Sequence, residues 1–273
     1  VVEGVRRVIR PRLAFRSSGD DGRPPLLLVH GMLASARQWE PNLAMFARHV
    51  RPIAVDLWGH GGSPAPADDR CYTIQAIVDQ LDRVRERVHA DRVILCGHSF
   101  GAGIVLRYAL ANPDRVVGTI VTNSLSAFLA PEAVRSDADR RRTIAELREK
   151  GIDAVRALPI HPSRSTRFEP EIRDRLIADA DAVAPDAIAR LLGITFPGLS
   201  VLAELERIRC PVLLVNGTRE KAFQPVKDSV APRFVDCTVV DVDAGHAVNI
   251  DNPGAFDAAV EPFLTGLLGR APG

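Results

Sequence analysis

Three side chains far apart in the sequence, Ser99, Glu220 and His246, set the chemistry this chain can do. A serine hydroxyl is a weak nucleophile until a base takes its proton. A histidine does that best when a carboxylate fixes its tautomer. Ser99 carries the sharpest local signal. It is the centre of Gly97-His98-Ser99-Phe100-Gly101, which follows the apolar run Val93-Ile94-Leu95-Cys96. After it, Ile104, Val105, Tyr108 and Ala109 recur at helical spacing until Asn112-Pro113 stops the helix. A Gly-x-Ser-x-Gly turn between a strand and a helix is strained and lifts the serine oxygen clear of the sheet. Its glycines occupy the two places where a side chain would strike neighbouring backbone. The pentapeptide alone recurs by chance in a chain with 20 glycines, so the flanking strand and helix carry the assignment.

The elements that must position these groups read as alternating strands and helices. Residues 5–16 alternate weakly and predict one or two edge strands before a turn at Asp20-Asp21-Gly22. Leu26 to Val29, Ile53 to Leu57, Val93 to Cys96 and Val116 to Val121 are short apolar runs, as expected of buried parallel strands. Between them, Trp39 to Phe46 predicts a helix. Ile74, Ile77, Val78, Leu81, Val84 and Val88 trace an amphipathic one behind a Thr73 cap. The alternation breaks between Ser124 and Ile208. That stretch is rich in Ala, Arg, Leu and Glu, has no strand-like run, and is interrupted at Pro159-Ile160-His161-Pro162, Pro185 and Pro197-Gly198. Strands resume at Val212 to Val215 and Thr238 to Val242, and Asn252-Pro253-Gly254 opens a terminal helix. The expected organisation is an α/β core over 1–123 and 209–273, with a mostly parallel central sheet flanked by helices and a helical cap inserted over 124–208.

Composition excludes several classes. Thirty-five basic residues against 34 acidic ones leave no charge for nucleic acid or anionic membranes, and no apolar run is long enough to span a bilayer. The opening Val1-Val2-Glu3-Gly4 has no leader pattern, and the lack of an initial methionine suggests trimming. Cys71, Cys96, Cys210 and Cys237 follow no metal or redox spacing, so a reduced, cytoplasmic protein is expected. Residues 131–190 hold 12 basic and 12 acidic residues, and Arg140-Arg141-Arg142 reads as a solvated helix face. The loop Trp58 to Pro64 has no Gly-Lys-Ser/Thr, which argues against phosphate binding. No histidine pair has the i, i+4 spacing with glutamate that zinc hydrolysis uses. His30 and His98 read as structural, His60 as a loop residue near the site mouth, and His49, His89 and His161 as surface or cap residues.

Taken with His30-Gly31-Met32-Leu33, Asp56 to Ser63, Pro211 to Glu220 and Ala244-Gly245-His246, the elbow gives the chain a resemblance to the α/β-hydrolase fold superfamily along nearly its whole length. The cap matches only in position and helical character. The resemblance implies an esterase-like serine hydrolase with Ser99 as nucleophile, His246 as base and Glu220 as acid. It also implies an oxyanion hole of the Met32 and Phe100 backbone N–H groups. Such proteins usually present aspartate where Glu220 stands. Asp241 and Asp243 are the rival carboxylates, and a surface glutamate between Arg219 and Lys221 is the bland alternative. Leu33, Phe100, Leu125, Phe128, Phe168, Leu192, Phe196 and Phe223 are candidates for an apolar substrate pocket, although each taken singly reads as core. The expected activity is cleavage of a small or medium, largely apolar carboxylic ester, lactone or thioester (EC 3.1.1), without cofactor or metal. The alternatives are carbon–carbon bond hydrolysis of a ring-fission diketone, suggested by Gly-His-Ser-Phe-Gly, and a non-catalytic ligand receptor on the same scaffold.

Overall fold

A computed structural model describes residues 11–17 and 22–269. Val5, Val8 and Asp20-Asp21 lie outside the described residues, so of the predicted N-terminal strands only β1 (Phe15–Ser17) is seen. The remaining strands are β2 (Pro25–Val29), β3 (Arg51–Val55), β4 (Val93–Gly97), β5 (Val116–Thr122), β6 (Val212–Gly217) and β7 (Cys237–Val242). They form one sheet in the order β1-β3-β2-β4-β5-β6-β7, parallel except for β1.

Both faces of the central strands are covered, which is why they read as unbroken apolar runs. Side chains still alternate. Leu27, Val29, Val93 and Leu95 join one core, while Leu26, Leu28, Ile94 and Cys96 join the other. A 3₁₀ stretch, Ala36–Asn42, leads into α1 (Leu43–His49), so the helix expected from Trp39 begins later and in tighter form. Next come α2 (Ile74–Arg87), whose Thr73 Oγ1 accepts from Ala76 N at 3.2 Å, and α3 (Phe100–Ala111). The predicted face of α2 is buried at Ile77, Val78, Leu81 and Val84.

Residues between β5 and β6 carry α4 (Leu125–Phe128), α5 (Pro131–Val134), α6 (Asp137–Lys150), α7 (Ile152–Ala157), α8 (Pro170–Asp181) and α9 (Pro185–Arg190). After α9 come a π turn at Leu191–Thr195 and two 3₁₀ segments. No strand occurs there among the described residues. This insertion is not a separate body: Leu147, Val155, Ile188 and Leu191 share one apolar cluster with α2, α3 and the sheet. The chain ends with α10 (Gln224–Val230), α11 (Val248–Asp251) and α12 (Pro253–Gly269). The Phe256, Val260, Leu264 and Leu267 face of α12 covers the other side of the sheet. Among the described residues no helix is long and apolar enough to cross a membrane.

Candidate active site

The carboxyl ends of β4, β6 and β7 meet at one place, because the parallel register puts Gly97 beside Val121 and Gly217 beside Val242. Ser99 follows β4 by two residues. Its φ of 53° and ψ of −115° are conformations that a side chain resists, so the turn stores strain that the surrounding backbone must hold. The glycines make that turn possible. A Cβ on Gly97 would lie 2.5 Å from Gly101 O, and one on Gly101 would strike Val29 O. Ser124 Oγ donates to Ser99 O at 2.7 Å and fixes the turn from the β5 side.

Glu220 and His246 are brought together by interlocked loops. Thr218 N donates to Val242 O at 3.0 Å and Arg219 N to Ala244 O at 2.9 Å, and Gly217 is so close to Gly245 O that no side chain fits. His246 Nδ1 then lies 3.0 Å from Glu220 Oε1 and 2.9 Å from Oε2. Burial raises the Glu220 pKa, but the hydrogen bond and charge of His246 outweigh it. The Asn123 amide and the Arg167 charge add to them, leaving the carboxyl below its ordinary value. The two rival carboxylates turn elsewhere. Asp243 pairs with Arg219 at 2.7 Å, and Asp241 accepts from Asn216 Nδ2 at 2.7 Å.

Asn123, directly after β5, is a partner of Glu220. Its Nδ2 donates to Glu220 Oε2 at 2.8 Å and to Gly217 O at 3.0 Å, while its Oδ1 accepts from Gly217 N at 2.8 Å. Nothing local in the sequence signals this, since β5 and β6 become neighbours only in the sheet.

Met32 and Leu33 lie after β2 on the other side of Ser99. Leu33 has φ of 63°, and its N–H donates to His60 Nε2 at 3.4 Å. His60 is buried, its Nδ1 donating to Trp58 O at 2.9 Å, so it holds this turn instead of facing the site mouth. Burial, then the neighbouring His30, lowers its pKa to about 3. His30 is lowered to about 4 by burial. Its Nδ1 donates to Gly31 O at 2.7 Å and its Nε2 accepts from Leu57 N at 3.0 Å. Both imidazoles are therefore neutral struts. Gln38 accepts from Gly31 N at 3.1 Å and bonds to the buried Asn249, tying this turn to α11 just after His246. Among the described residues the Met32 and Phe100 N–H groups donate to no protein acceptor, as expected for Phe100 in the first turn of a helix.

His98 lies beside His246, its ring edge-on to that of the base at 65°. Its Nε2 donates to His246 O at 3.1 Å, its ring centroid is 4.9 Å from that of His246, and burial pushes its pKa well down. Ser99 and His246 open onto one cavity of about 260 Å³. Among the described residues no hydrogen bond joins Ser99 to His246; in ligand-free enzymes this contact is commonly long and tightens with substrate.

The cavity floor includes Met32, Leu33, His98, Ser99 and His246, and its roof is the loop from Pro159 to Ser165 with Phe168 and Leu176. Of the proposed pocket residues, Leu33 and Phe168 line it. Phe128 and Phe223 do not: both are fully buried, with ring centroids 6.1 Å apart, in the core behind α3. Phe196, Leu192 and Phe100 are also core, and Leu125 packs against the same cluster. Apolar type and nearness in sequence to a strand end could not tell packing from lining. His161, read as a surface or cap residue, lies in the insertion but is buried in the roof, and its Nε2 is 3.3 Å from Asp181 Oδ1. A larger depression of about 680 Å³, bordered by Asp68, Arg70, Asp79 and Arg83, includes neither Ser99 nor His246. Among the described residues no group of three or more His, Cys, Asp or Glu side chains is arranged to hold a metal ion.

Fold and site together define an α/β-hydrolase. The Alpha/beta hydrolase family model matches residues 26–259, and the chain belongs to that family. It is 24% identical over 266 residues to the putative 2-succinyl-6-hydroxy-2,4-cyclohexadiene-1-carboxylate synthase of Bacillus subtilis, covering 94% of this chain and 96% of that protein. It is 25% identical over 256 residues to the B. subtilis carboxylesterase YbfK, covering 92% and 83%. MenH from S. aureus superposes with a TM-score of 0.83 at 19% identity, covering 94% and 99% of the two chains, and shares the fold. The chain is a hydrolase of this family.

Proposed function

We propose that the chain is a serine hydrolase that cleaves a small, largely apolar carboxylic ester, lactone or thioester through an acyl-enzyme on Ser99. The observation that carries this reading is the strained Ser99 turn opening onto the same cavity as a His246 whose Nδ1 is held by Glu220. Ser99 Oγ attacks the acyl carbonyl and its proton passes to His246 Nε2. Glu220 accepts from Nδ1, which keeps Nε2 free as base and stabilises the imidazolium. The oxyanion forms against the N–H groups of Met32 and Phe100, donors of a kind that contribute about 3–4 kcal/mol each elsewhere. As the tetrahedral species collapses, the carbonyl–leaving-group bond breaks and His246 returns the proton to the departing alcohol or thiol. Water, deprotonated by His246, then releases the acid and restores Ser99.

A cavity of about 260 Å³ lies below the roughly 300–1,000 Å³ typical of drug-sized ligands, which favours a small acyl group. The insertion over 124–208 acts as a cap that supplies the specificity surface. With four free cysteines the chain suits a reducing compartment such as the cytoplasm.

The test is active-site labelling. A fluorophosphonate should add once to the wild-type chain, and Ser99→Ala should abolish the adduct while lowering kcat on ester substrates by about 10⁴ to 10⁶. An adduct that survives in Ser99→Ala overturns the assignment, and a wild-type chain that neither labels nor turns over any ester points to the receptor alternative.

A further inference from the structure

The cavity over Ser99 carries one formally charged side chain besides its histidines, and that charge is positive. Arg164 lines the roof, and no carboxylate lines the cavity with it. Its guanidinium donates to Ala157 O at 3.2 Å and forms no ion pair among the described residues. Other arginines, among them Arg37, Arg107, Arg156, Arg175, Arg190 and Arg219, are held by carboxylates instead. Beside it, the Ser165 hydroxyl accepts from Arg167 N at 3.3 Å and keeps its own O–H to donate into the cavity that it also lines. Arg167 adds a second positive charge three residues on. Its guanidinium packs over Gly245 and acts on Glu220. The rest of the roof is Pro159, Ile160, Pro162, Phe168 and Leu176, together with the buried His161.

A largely apolar chamber lined by one arginine as well as the nucleophile matches a ligand that is apolar in the middle and anionic at one end. Resting on the serine-hydrolase reading above, we propose that Arg164, with the Ser165 hydroxyl, binds a carboxylate on the substrate. The enzyme would then act on half-esters, thioesters or lactones of dicarboxylic acids. Carboxylate is favoured over larger anions because its two oxygens fit the guanidinium edge to edge in a cavity of only about 260 Å³. Arg164 is exposed, so the interaction is screened: a preference of about tenfold is expected, weakening with salt.

The experiment compares p-nitrophenyl hemiglutarate with p-nitrophenyl valerate, which share the acyl length and differ in the terminal carboxylate. Wild-type kcat/KM should favour the hemiglutarate about tenfold, and 0.5 M NaCl should erode that ratio. Arg164→Gln should bring the two esters within about twofold of each other, and Arg164→Lys should recover part of the preference. A wild-type chain that prefers valerate, or a preference that persists in Arg164→Gln, overturns the proposal. A binding measurement separates this outcome from failure of the hydrolase reading. In Ser99→Ala, calorimetric binding of glutarate should be about tenfold tighter with Arg164 than with Gln at that position, whether or not any ester is turned over. Equal binding there overturns the subsite on its own.

Discussion

The floor and the roof of the cavity are built on opposite plans. The floor stands on strand ends whose side chains are wholly buried. Around it Gly31, Gly97, Gly101 and Gly217 are pressed so closely by neighbouring atoms that a methyl group would not fit. Two neutral buried histidines, His30 and His60, hold its turns from below. The roof hangs on a loop between α7 and α8, with Ile160, Arg164 and Arg167 exposed. Leu158 at its start joins the apolar cluster, and α8 behind it adds polar ties to the floor, such as Ser35 Oγ donating to Asp179 Oδ2 at 2.7 Å and Arg175 bonding Glu40 at 3.2 Å. Reaction geometry thus rests on close packing, where a shift of an ångström is resisted everywhere. If the roof sets substrate choice, as proposed above, that choice lies on a segment more exposed than the packing beneath it.

The contrast breaks first at Glu220. If the floor's carboxylate orients the base, Glu220→Gln should lower kcat by about 10³ to 10⁴ with little loss of melting temperature, because the amide occupies the same volume. Steady-state kinetics beside thermal unfolding checks this. Near-normal turnover in Glu220→Gln, with collapse in Asp241→Asn or Asp243→Asn, would move the role to another carboxylate, against the pairing of both with other residues.

A second pair of variants tests where roof ends and core begins. Phe196 is 7% exposed within the apolar cluster, whereas Phe168 is half-buried on the cavity wall. Phe196→Ala should cost about 3 kcal/mol or more of stability and leave relative kcat/KM across acyl lengths as it is. Phe168→Ala should do the reverse, shifting that selectivity several-fold with little change in urea midpoint. A large stability loss in Phe168→Ala with unchanged selectivity would make the roof part of the core.

The same division governs what could be read from the residues alone. The sheet, the elbow and the order Ser99, Glu220, His246 were legible because strands buried on two faces leave unbroken apolar runs, and a strained turn leaves glycines at fixed spacing. The placement of Phe128 and Phe223 was not, because an aromatic residue just past a strand end packs inward or lines a cavity according to what lies above it. Asn123 and Gln38 were missed for a related reason. Their partners, Glu220 and Asn249, are about a hundred or more residues away in sequence and are joined only by the fold. The Pro159-Ile160-His161-Pro162 break was visible as an interruption. That it folds back over Ser99 depends on α8 docking against residues 35–40.

The smallest expected effect lies in how the two regions carry charge. Asp82, on α2, accepts from Tyr108 Oη and Arg85 Nε at 2.7 Å each and also pairs with Arg115. Burial raises its pKa, but the hydrogen bonds from Arg85, Arg115 and Tyr108 prevail and hold it well below the usual carboxylate range. Asp139, on α6 in the insertion, is also lowered, by Ser136 and then Arg142, but its side chain is about half exposed, at 48%. A carboxyl whose folded pKa is depressed contributes stability that is complete above its unfolded value near 3.9. That contribution is lost as pH falls toward the folded pKa, because the unfolded chain takes up the proton first. The stability gap between wild type and Asp82→Asn should therefore be about 1 kcal/mol at pH 7 and stay level down to about pH 5. Below that it should shrink as the pH falls toward 3, the size already discounted for partial exposure. Asp139→Asn should show no measurable gap at any of these values, since water and salt screen its pairs. Urea unfolding at pH 7, 5, 4 and 3 reads both variants against wild type, so that carboxylates shared by all three cancel. A gap at Asp82 that does not narrow with acid would mean the Arg85–Tyr108–Arg115 contacts act through shape, not charge. A gap at Asp139 matching that at Asp82 would remove the distinction between a clamped core and a solvated insertion.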